Sequence, residues 1–196
     1  MLEAEKLNLY YDHYKDTFTQ IKENLKKRDK LTLLMLILMA VQVLFVITPE
    51  ESAIMAQEIV LTQFNVNSIS FVIIDLVCLA SLVYTVLGYY QICLNIEKNY
   101  IYLHNIEFDL SQLSELKIDR EGGFYLANYP FISNMAHVFY AYILPSLAVM
   151  LSLIRGILTI WYWNETRLIV SITQILAFII LSVFSVIYII DRRRIK

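Results

Sequence analysis

Six small or polar residues recur inside the second of four long apolar stretches, where a membrane-spanning helix normally carries apolar side chains. They follow one another at intervals of three or four, which places them on one helical face. They are Asp75, Cys78, Ser81, Thr85, Gly88 and Gln91. Such a stripe has two interpretations: a seam of small residues along which helices pack closely, or the lining of an aqueous path in an oligomer.

A charged residue, Arg155, lies inside the third apolar stretch. A charge at that depth needs an acid or a carbonyl as its partner, unless it extends to the membrane surface. Asp75 falls at a similar depth, so the sequence predicts either a buried pair between the two or a charged ring at a pore mouth. The candidate pore-lining residues are Asp75, Ser81, Thr85, Gln91 and Arg155.

A second group of polar residues follows the second apolar stretch and mixes cations with aromatic rings. Cations that contact phosphates and rings that stack on bases are the combination that binds nucleotides and single-stranded nucleic acid. The candidate ligand-binding residues are Lys98, Tyr102, His104, Lys117, Arg120 and Tyr125. The alternative is that aromatic residues of this region, such as Tyr100 and Phe124, form the core of a small membrane-proximal unit.

Signatures of catalysis are missing from the sequence. It contains no HExxH, GxSxG or CxxC motif and no glycine-rich phosphate loop, and its three histidines are scattered singly. No group of ligands has metal-binding spacing. We therefore expect neither an enzyme nor a bound metal or cofactor.

Composition indicates an integral membrane protein. The chain of 196 residues is 58% hydrophobic and only 17% charged, whereas soluble domains carry roughly 25% charged residues. Its mean hydropathy is +0.57. Both cysteines, Cys78 and Cys93, lie on one predicted helix, 15 residues apart, too far for a disulfide within the chain.

The expected architecture is all-α, with four transmembrane helices, both termini in the cytoplasm, and a long second helix that continues into a small cytoplasmic insert. The predicted divisions are a cytoplasmic amphipathic helix at 1–30, spans 1 and 2 at 31–94, the insert at 95–134, spans 3 and 4 at 135–190, and a basic cytoplasmic tail at 191–196. Of the 16 Lys and Arg residues, 14 fall outside the spans on one side. The positive-inside rule makes that side the cytoplasm, which indicates a multi-pass membrane protein.

The first 30 residues repeat apolar side chains at alternating intervals of four and three, the pattern of a coiled-coil seam. The seam consists of Leu7, Tyr11, Tyr14, Phe18, Ile21 and Leu25. We expect it to pack against other cytoplasmic helices of the protein, and the membrane surface is the alternative partner. A seam and a polar stripe that lack sufficient partners in one chain predict a homo-oligomer.

Two runs carry a resemblance to a known family: YIYLHNIEFDLSQL from Tyr100, and IDREGGFYLANYPFISNMAHVFYAYILP from Ile118. They resemble small four-span bacterial membrane effectors of anti-phage defence, and among those the Hailong membrane effector family. That resemblance implies a tetrameric ion channel whose cytoplasmic insert binds an oligodeoxyadenylate or another nucleotide, made by a partner nucleotidyltransferase. It covers about residues 95–145 and assigns no ligand-binding residue.

The sequence thus predicts an oligomeric, ligand-gated, ion-conducting membrane effector, with a tetramer favoured. Two other classes stay open. A membrane anchor or scaffold subunit for a cytoplasmic partner would use the amino-terminal seam and need no pore. A small transporter fits less well, because four spans without a repeat or a pair of broken helices provide no midplane binding site.

Overall fold

The computed structural model describes residues 3–65, 68–114, 118, 131–161 and 168–195, and every regular element within those ranges is helical. In chain order the elements are α1 (Glu3–Ile47), α2 (Pro49–Phe64), α3 (Phe71–Ser114), α4 (Phe131–Val138), a π-helical turn (Phe139–Ile143), α5 (Leu144–Trp161) and α6 (Leu168–Ile195). Within the described ranges, four helical stretches are long and apolar enough to cross a membrane: those of α1, α3, α6 and the helix at 139–158. This agrees with the predicted all-α fold and four spans.

Helix α3 is a single helix of 44 residues, about 66 Å long at 1.5 Å per residue. The hydrocarbon core of a bilayer is only about 30 Å thick, so α3 extends well beyond what one crossing requires. Neither Gly nor Pro interrupts the chain between Tyr89 and Ser114. The prediction that the apolar second stretch and the charged residues after it form one helix is confirmed.

Helix α1 is also continuous, and the predicted division at residue 30 is not a break in it. It packs antiparallel to α3 along almost its whole length. The rings of Phe45 and Phe71 meet at one end, with centroids 4.9 Å apart, and the Tyr14 hydroxyl donates to Glu107 Oε1 near the other end, at 3.2 Å. We call the two-helix part, residues 3–30 and 95–114, the stalk.

The remainder of α1 and α3 forms a four-helix body with the π-helical turn, α5 and α6. Helix α3 packs on α1 and α6, and α6 packs on α5, while α1 and α5 touch over a short stretch. The largest core side chains come from all four helices, among them Met35, Leu82, Leu144 and Leu181. These residues are almost completely buried, so side chains fill the centre of the body.

The acidic connection after the first span is mostly helical. Pro49 occupies the start of α2 and two acids follow in the first turn, an arrangement that suits the amino end of a helix. The helix ends where Asn65 adopts a left-handed conformation, with φ of 52°. Gln57 Nε2 donates to the carbonyl oxygen of Ile69 at 2.8 Å and thereby ties α2 to the segment before α3.

The basic tail predicted at 191–196 belongs to α6 as far as it is described, because this helix continues to Ile195. No helix breaker follows Ile190, and cations in the last turn interact favourably with the carboxyl end of a helix. Arg192 is only 2% exposed and pairs with Glu97 of α3, so it belongs to the folded body, whereas Arg193 and Arg194 are exposed.

Candidate functional site

Asp75 and Arg155 form a two-pronged ion pair inside the body. Arg155 Nη1 donates to Asp75 Oδ1 and Nη2 donates to Oδ2, both at 2.9 Å. Gln174 of α6 adds a third hydrogen bond, from its Nε2 to Asp75 Oδ2 at 3.3 Å. The exposed fractions of Asp75 and Arg155 are only 5% and 8%. The predicted buried pair is therefore confirmed.

The pair joins three helices, since Asp75 lies on α3, Arg155 on α5 and Gln174 on α6. A buried charge is tolerated only when a partner of opposite sign and further hydrogen bonds replace the lost water. Both Asp75 oxygens are occupied here, so the arrangement meets this requirement. In this conformation neither charge faces a water path, and the alternative of a charged ring at a pore mouth does not fit their burial.

The other three pore-lining candidates occupy different environments. Thr85 is buried, and its hydroxyl donates to the carbonyl oxygen of Ser81 at 2.7 Å within the same helix. Ser81 is half-buried beside Leu34 and Leu38 of α1, where it lines a shallow groove between α1 and α3. Gln91 is exposed. The stripe thus faces α1 for part of its length, as helix packing requires, and only Gln91 lies fully on the surface.

A different face of α3 is exposed along most of the helix. Its residues recur at helical spacing and are Ile73, Val77, Ala80, Tyr84, Gln91, Asn95, Lys98, Tyr102 and Asn105. We call this set the open face of α3. Only Gln91, Lys98 and Tyr102 of this set were among the predicted site residues, because its first three members are apolar and its members share exposure rather than a residue type.

Two members of the open face are polar groups within the apolar part of α3. Tyr84 lies nine residues beyond Asp75, about 14 Å along the axis, and Gln91 lies about 24 Å beyond it. Tyr84 is 79% exposed, the most exposed of the tyrosines in the body. A phenol and an amide that faced hydrocarbon would each lack a hydrogen-bond partner, which is costly. This face is therefore poorly suited to contact with lipid.

The six ligand-binding candidates are not brought together by the described residues. Lys98 and Tyr102 lie one turn apart on the open face, whereas His104 lies on another side of α3 and contacts the ring of Tyr100, with centroids 6.4 Å apart. The remaining three candidates, Lys117, Arg120 and Tyr125, lie outside the described residues.

Tyr102 does border a groove of about 460 Å³ between the two stalk helices. Helix α1 contributes Lys6, Leu9, Tyr10 and His13 to it, and α3 contributes Tyr102, Asn105, Ile106 and Asp109. Sequence reasoning missed the α1 side, because its members are scattered through the amino-terminal seam and become neighbours of Tyr102 only when α1 and α3 pair.

The amino-terminal seam finds its partner within the chain. Ile21 is 1% exposed against α3, and Thr17 and Asn24 are buried beside it. The buried side of this helix differs slightly from the predicted seam. Tyr11, a predicted seam residue, is more than half exposed, whereas Thr17, which was not part of the predicted seam, is buried. The prediction of packing against the protein's own helices is confirmed, and the seam no longer argues for an oligomer.

Comparison of the chain with protein-family models, with curated proteins and with solved structures gives no match.

Proposed function

We propose that the protein is an ion-conducting, ligand-gated membrane effector that works as a homo-oligomer, with the path between copies along the open face of α3. The observation that carries this proposal is the exposure of Tyr84 and Gln91 on one continuous face at membrane depth. Contact with a second copy, or with water in a path between copies, would supply the partners that lipid cannot.

The packing of the body supports a path between copies rather than within one. Leu82, Leu144 and Leu181 fill the centre of the four helices and are at most 1% exposed. A file of water or ions through one chain would have to displace these side chains. Four or more copies that turn their open faces toward a common axis would enclose a path without disturbing the core, and a tetramer is the state we favour.

Gating would use the stalk, because α1 and α3 each continue from the body into it without interruption. A ligand that binds one arrangement of the stalk more tightly than another would shift the spans through these two helices. We propose cytoplasmic termini in a bacterial inner membrane, and a nucleotide or short oligonucleotide, such as an oligodeoxyadenylate from a partner nucleotidyltransferase, as the ligand. The resemblance to anti-phage effectors supports that choice.

The test is ion release from liposomes that contain the purified protein and are loaded with KCl. Release is followed with K⁺ and Cl⁻ electrodes, with single nucleotides or short oligodeoxyadenylates outside and inside the vesicles. We expect release on addition of a ligand, and a several-fold loss of release in Gln91→Leu. Gln20→Leu is the matched control, because Gln20 is an exposed glutamine of the stalk far from the spans.

A membrane anchor for a cytoplasmic partner is the second candidate, favoured by the exposed Leu9, Tyr11 and Phe108 on the stalk. Native mass measurement in nanodiscs distinguishes the two. A multiple of the 23.0 kDa chain mass agrees with the channel. A monomer that releases no ions under any condition would contradict the channel and leave the anchor.

A further inference from the structure

Three helices converge on the π-helical turn that precedes α5. From α3, the Tyr89 hydroxyl donates to the carbonyl oxygen of Tyr140 at 2.5 Å. From α1, the Arg28 guanidinium lies over the Tyr140 ring, 4.2 Å from its centroid. From α6, the Arg192 guanidinium lies over the Tyr142 ring at 4.9 Å. A turn of five residues is thus held by contacts from every other long helix of the body.

The hydrogen bonds of the turn explain why Tyr89 is needed. In the π register the N–H of Leu144 donates to the carbonyl oxygen of Phe139, five residues earlier. The next bond of that pattern would join residue 145 to the Tyr140 carbonyl, but Pro145 has no N–H. The Tyr140 carbonyl therefore lacks its main-chain donor, and the Tyr89 hydroxyl takes that place.

An ordinary α register would move the missing bond by one residue. The N–H of Leu144 would then donate to Tyr140, and Pro145 would leave the carbonyl of Ala141 without a donor. Ala141 is only 3% exposed, so water does not readily replace that donor. Pro145 thus leaves the Tyr140 carbonyl without its main-chain donor in the π register and the Ala141 carbonyl without one in the α register, and the Tyr89 hydroxyl contacts the Tyr140 carbonyl.

A change of register would have a large mechanical effect. A change from the π to the α register would rotate the helix that precedes the turn by about 100° and shift it by about 1.5 Å along the axis. That side is α4 (Phe131–Val138), which contains the last four residues of the predicted cytoplasmic insert at 95–134. Arg192 also pairs with Glu97, at the start of the stalk part of α3, so the turn is linked to the stalk as well.

We infer that the π-helical turn is a two-register switch, that the Tyr89 hydroxyl holds the π register, and that its change to the α register couples α4 and the stalk to the spans. The coupling rests on the proposed function, whereas the two registers are a property of the turn itself.

The test is the distance between spin labels at Met135 on α4 and Ile101 on α3, both exposed. It is measured by double electron–electron resonance on the full chain in nanodiscs, in a background where Cys78 and Cys93 are alanine. Tyr89→Phe is expected to shift the mean distance by roughly 5 Å or more, as a rotation of about 100° implies. Tyr84→Phe, an exposed tyrosine of the same helix, is the control and leaves the distance unchanged.

A second variant keeps the test decisive if Tyr89→Phe fails to fold. Pro145→Ala restores the N–H that both registers lack. The α register then satisfies every carbonyl of the turn without the Tyr89 hydroxyl, and the protein is expected to adopt it because π-helical turns are intrinsically rare. Adding Tyr89→Phe to Pro145→Ala should then produce no further shift. An unchanged distance in Pro145→Ala, or equal shifts in Tyr89→Phe and Tyr84→Phe, would overturn the inference. The measurement needs no ion gradient, so its outcome is independent of whether the protein conducts ions.

Discussion

The body and the stalk share helices α1 and α3, but the body contains further helices that pack on them. In the body, α3 is in contact with α1 on one side and α6 on another, and Leu82 and Leu181 are buried among several helices. Among the described residues, the two stalk helices pack mainly on each other, with Ile21 and Leu103 buried between them, and the Arg192–Glu97 pair lies at the base of the stalk. We therefore expect the stalk to open locally at a lower free-energy cost than the body.

Charge follows the same division. The body contains Asp75 and Arg155 as a buried pair whose oxygens are all hydrogen-bonded. In the stalk the buried Glu107 accepts from Tyr14, while most charged side chains are exposed. Substitutions in the body should therefore change global stability, whereas substitutions in the stalk should change local opening.

The largest effect is expected for Asp75→Asn, which leaves the Arg155 charge buried without a charged partner. The melting temperature in detergent should fall by an amount that corresponds to about 3 kcal/mol, since breaking one side of a buried pair costs that much. Asp29→Asn is the control, because Asp29 pairs with Arg28 while its side chain is 58% exposed and such pairs contribute about 1 kcal/mol or less.

A double variant separates the pair from other roles of Asp75. If Arg155→Met is combined with Asp75→Asn, the loss should be smaller than the sum of the two single losses. Independent, additive losses would contradict an energetic coupling between the two charges.

Next in size is Ile21→Ala, which opens a cavity at one of the most buried positions of the stalk. A loss of about 2 kcal/mol is typical of such a truncation, and it should raise amide hydrogen exchange in residues 3–30 and 95–114 roughly 30-fold. Exchange in the body should stay as it is. Leu181→Ala is the comparison in the body, and we expect it to lower the melting temperature instead. Equal acceleration across the whole chain in Ile21→Ala would remove the distinction between stalk and body.

A smaller local effect is expected for Tyr14→Phe, which removes the hydroxyl that donates to Glu107. A hydrogen bond to a charged group contributes about 1.5 kcal/mol, so exchange in the stalk should rise roughly tenfold. Tyr11→Phe is the matched control, because Tyr11 is on the same helix and more than half exposed. The same acceleration in both variants would show that the hydroxyl of Tyr14 has no specific role.

The smallest effect is expected for Gly88→Ala. A Cβ at this position would lie 3.8 Å from Leu31 Cδ1, an ordinary contact distance. Alanine should thus fit between α1 and α3 and raise stability by up to about 1 kcal/mol through its higher helix propensity. A clear fall in melting temperature would mean that α1 and α3 approach each other more closely at Gly88 than the structure has them.

The sequence predicts features that depend on a single helix, and it predicts a pair of opposite charges where a charge inside an apolar span requires a partner. Continuity of α3 follows from the lack of Gly and Pro after Gly88, and the Asp75–Arg155 pair follows because a charge inside a span requires a partner. Helix α2 also has local signals that are typical of the start of a helix, namely Pro49 and the two acids after it.

Other features depend on contacts between distant segments and could not be predicted. The π-helical turn requires Pro145 together with Tyr89, and nothing in the spacing of the two residues reveals this. Arg192 seemed to belong to a basic tail, and only the packing of α6 on α3 brings it to Glu97. The open face of α3 was not predicted as a whole for a related reason. Which residues of α3 are exposed depends on where the other helices pack against it.

The most direct test of the proposed path is chemical modification of Gln91→Cys during ion release, in a background where Cys78 and Cys93 are alanine. A small, water-soluble cationic thiol reagent should react with this cysteine and reduce ligand-induced release several-fold, because the added group would lie in the path. Val186→Cys is the control, an exposed position on α6 away from the open face. Unchanged release after complete modification of Gln91→Cys, or an equal reduction at Val186→Cys, would contradict a path along the open face of α3.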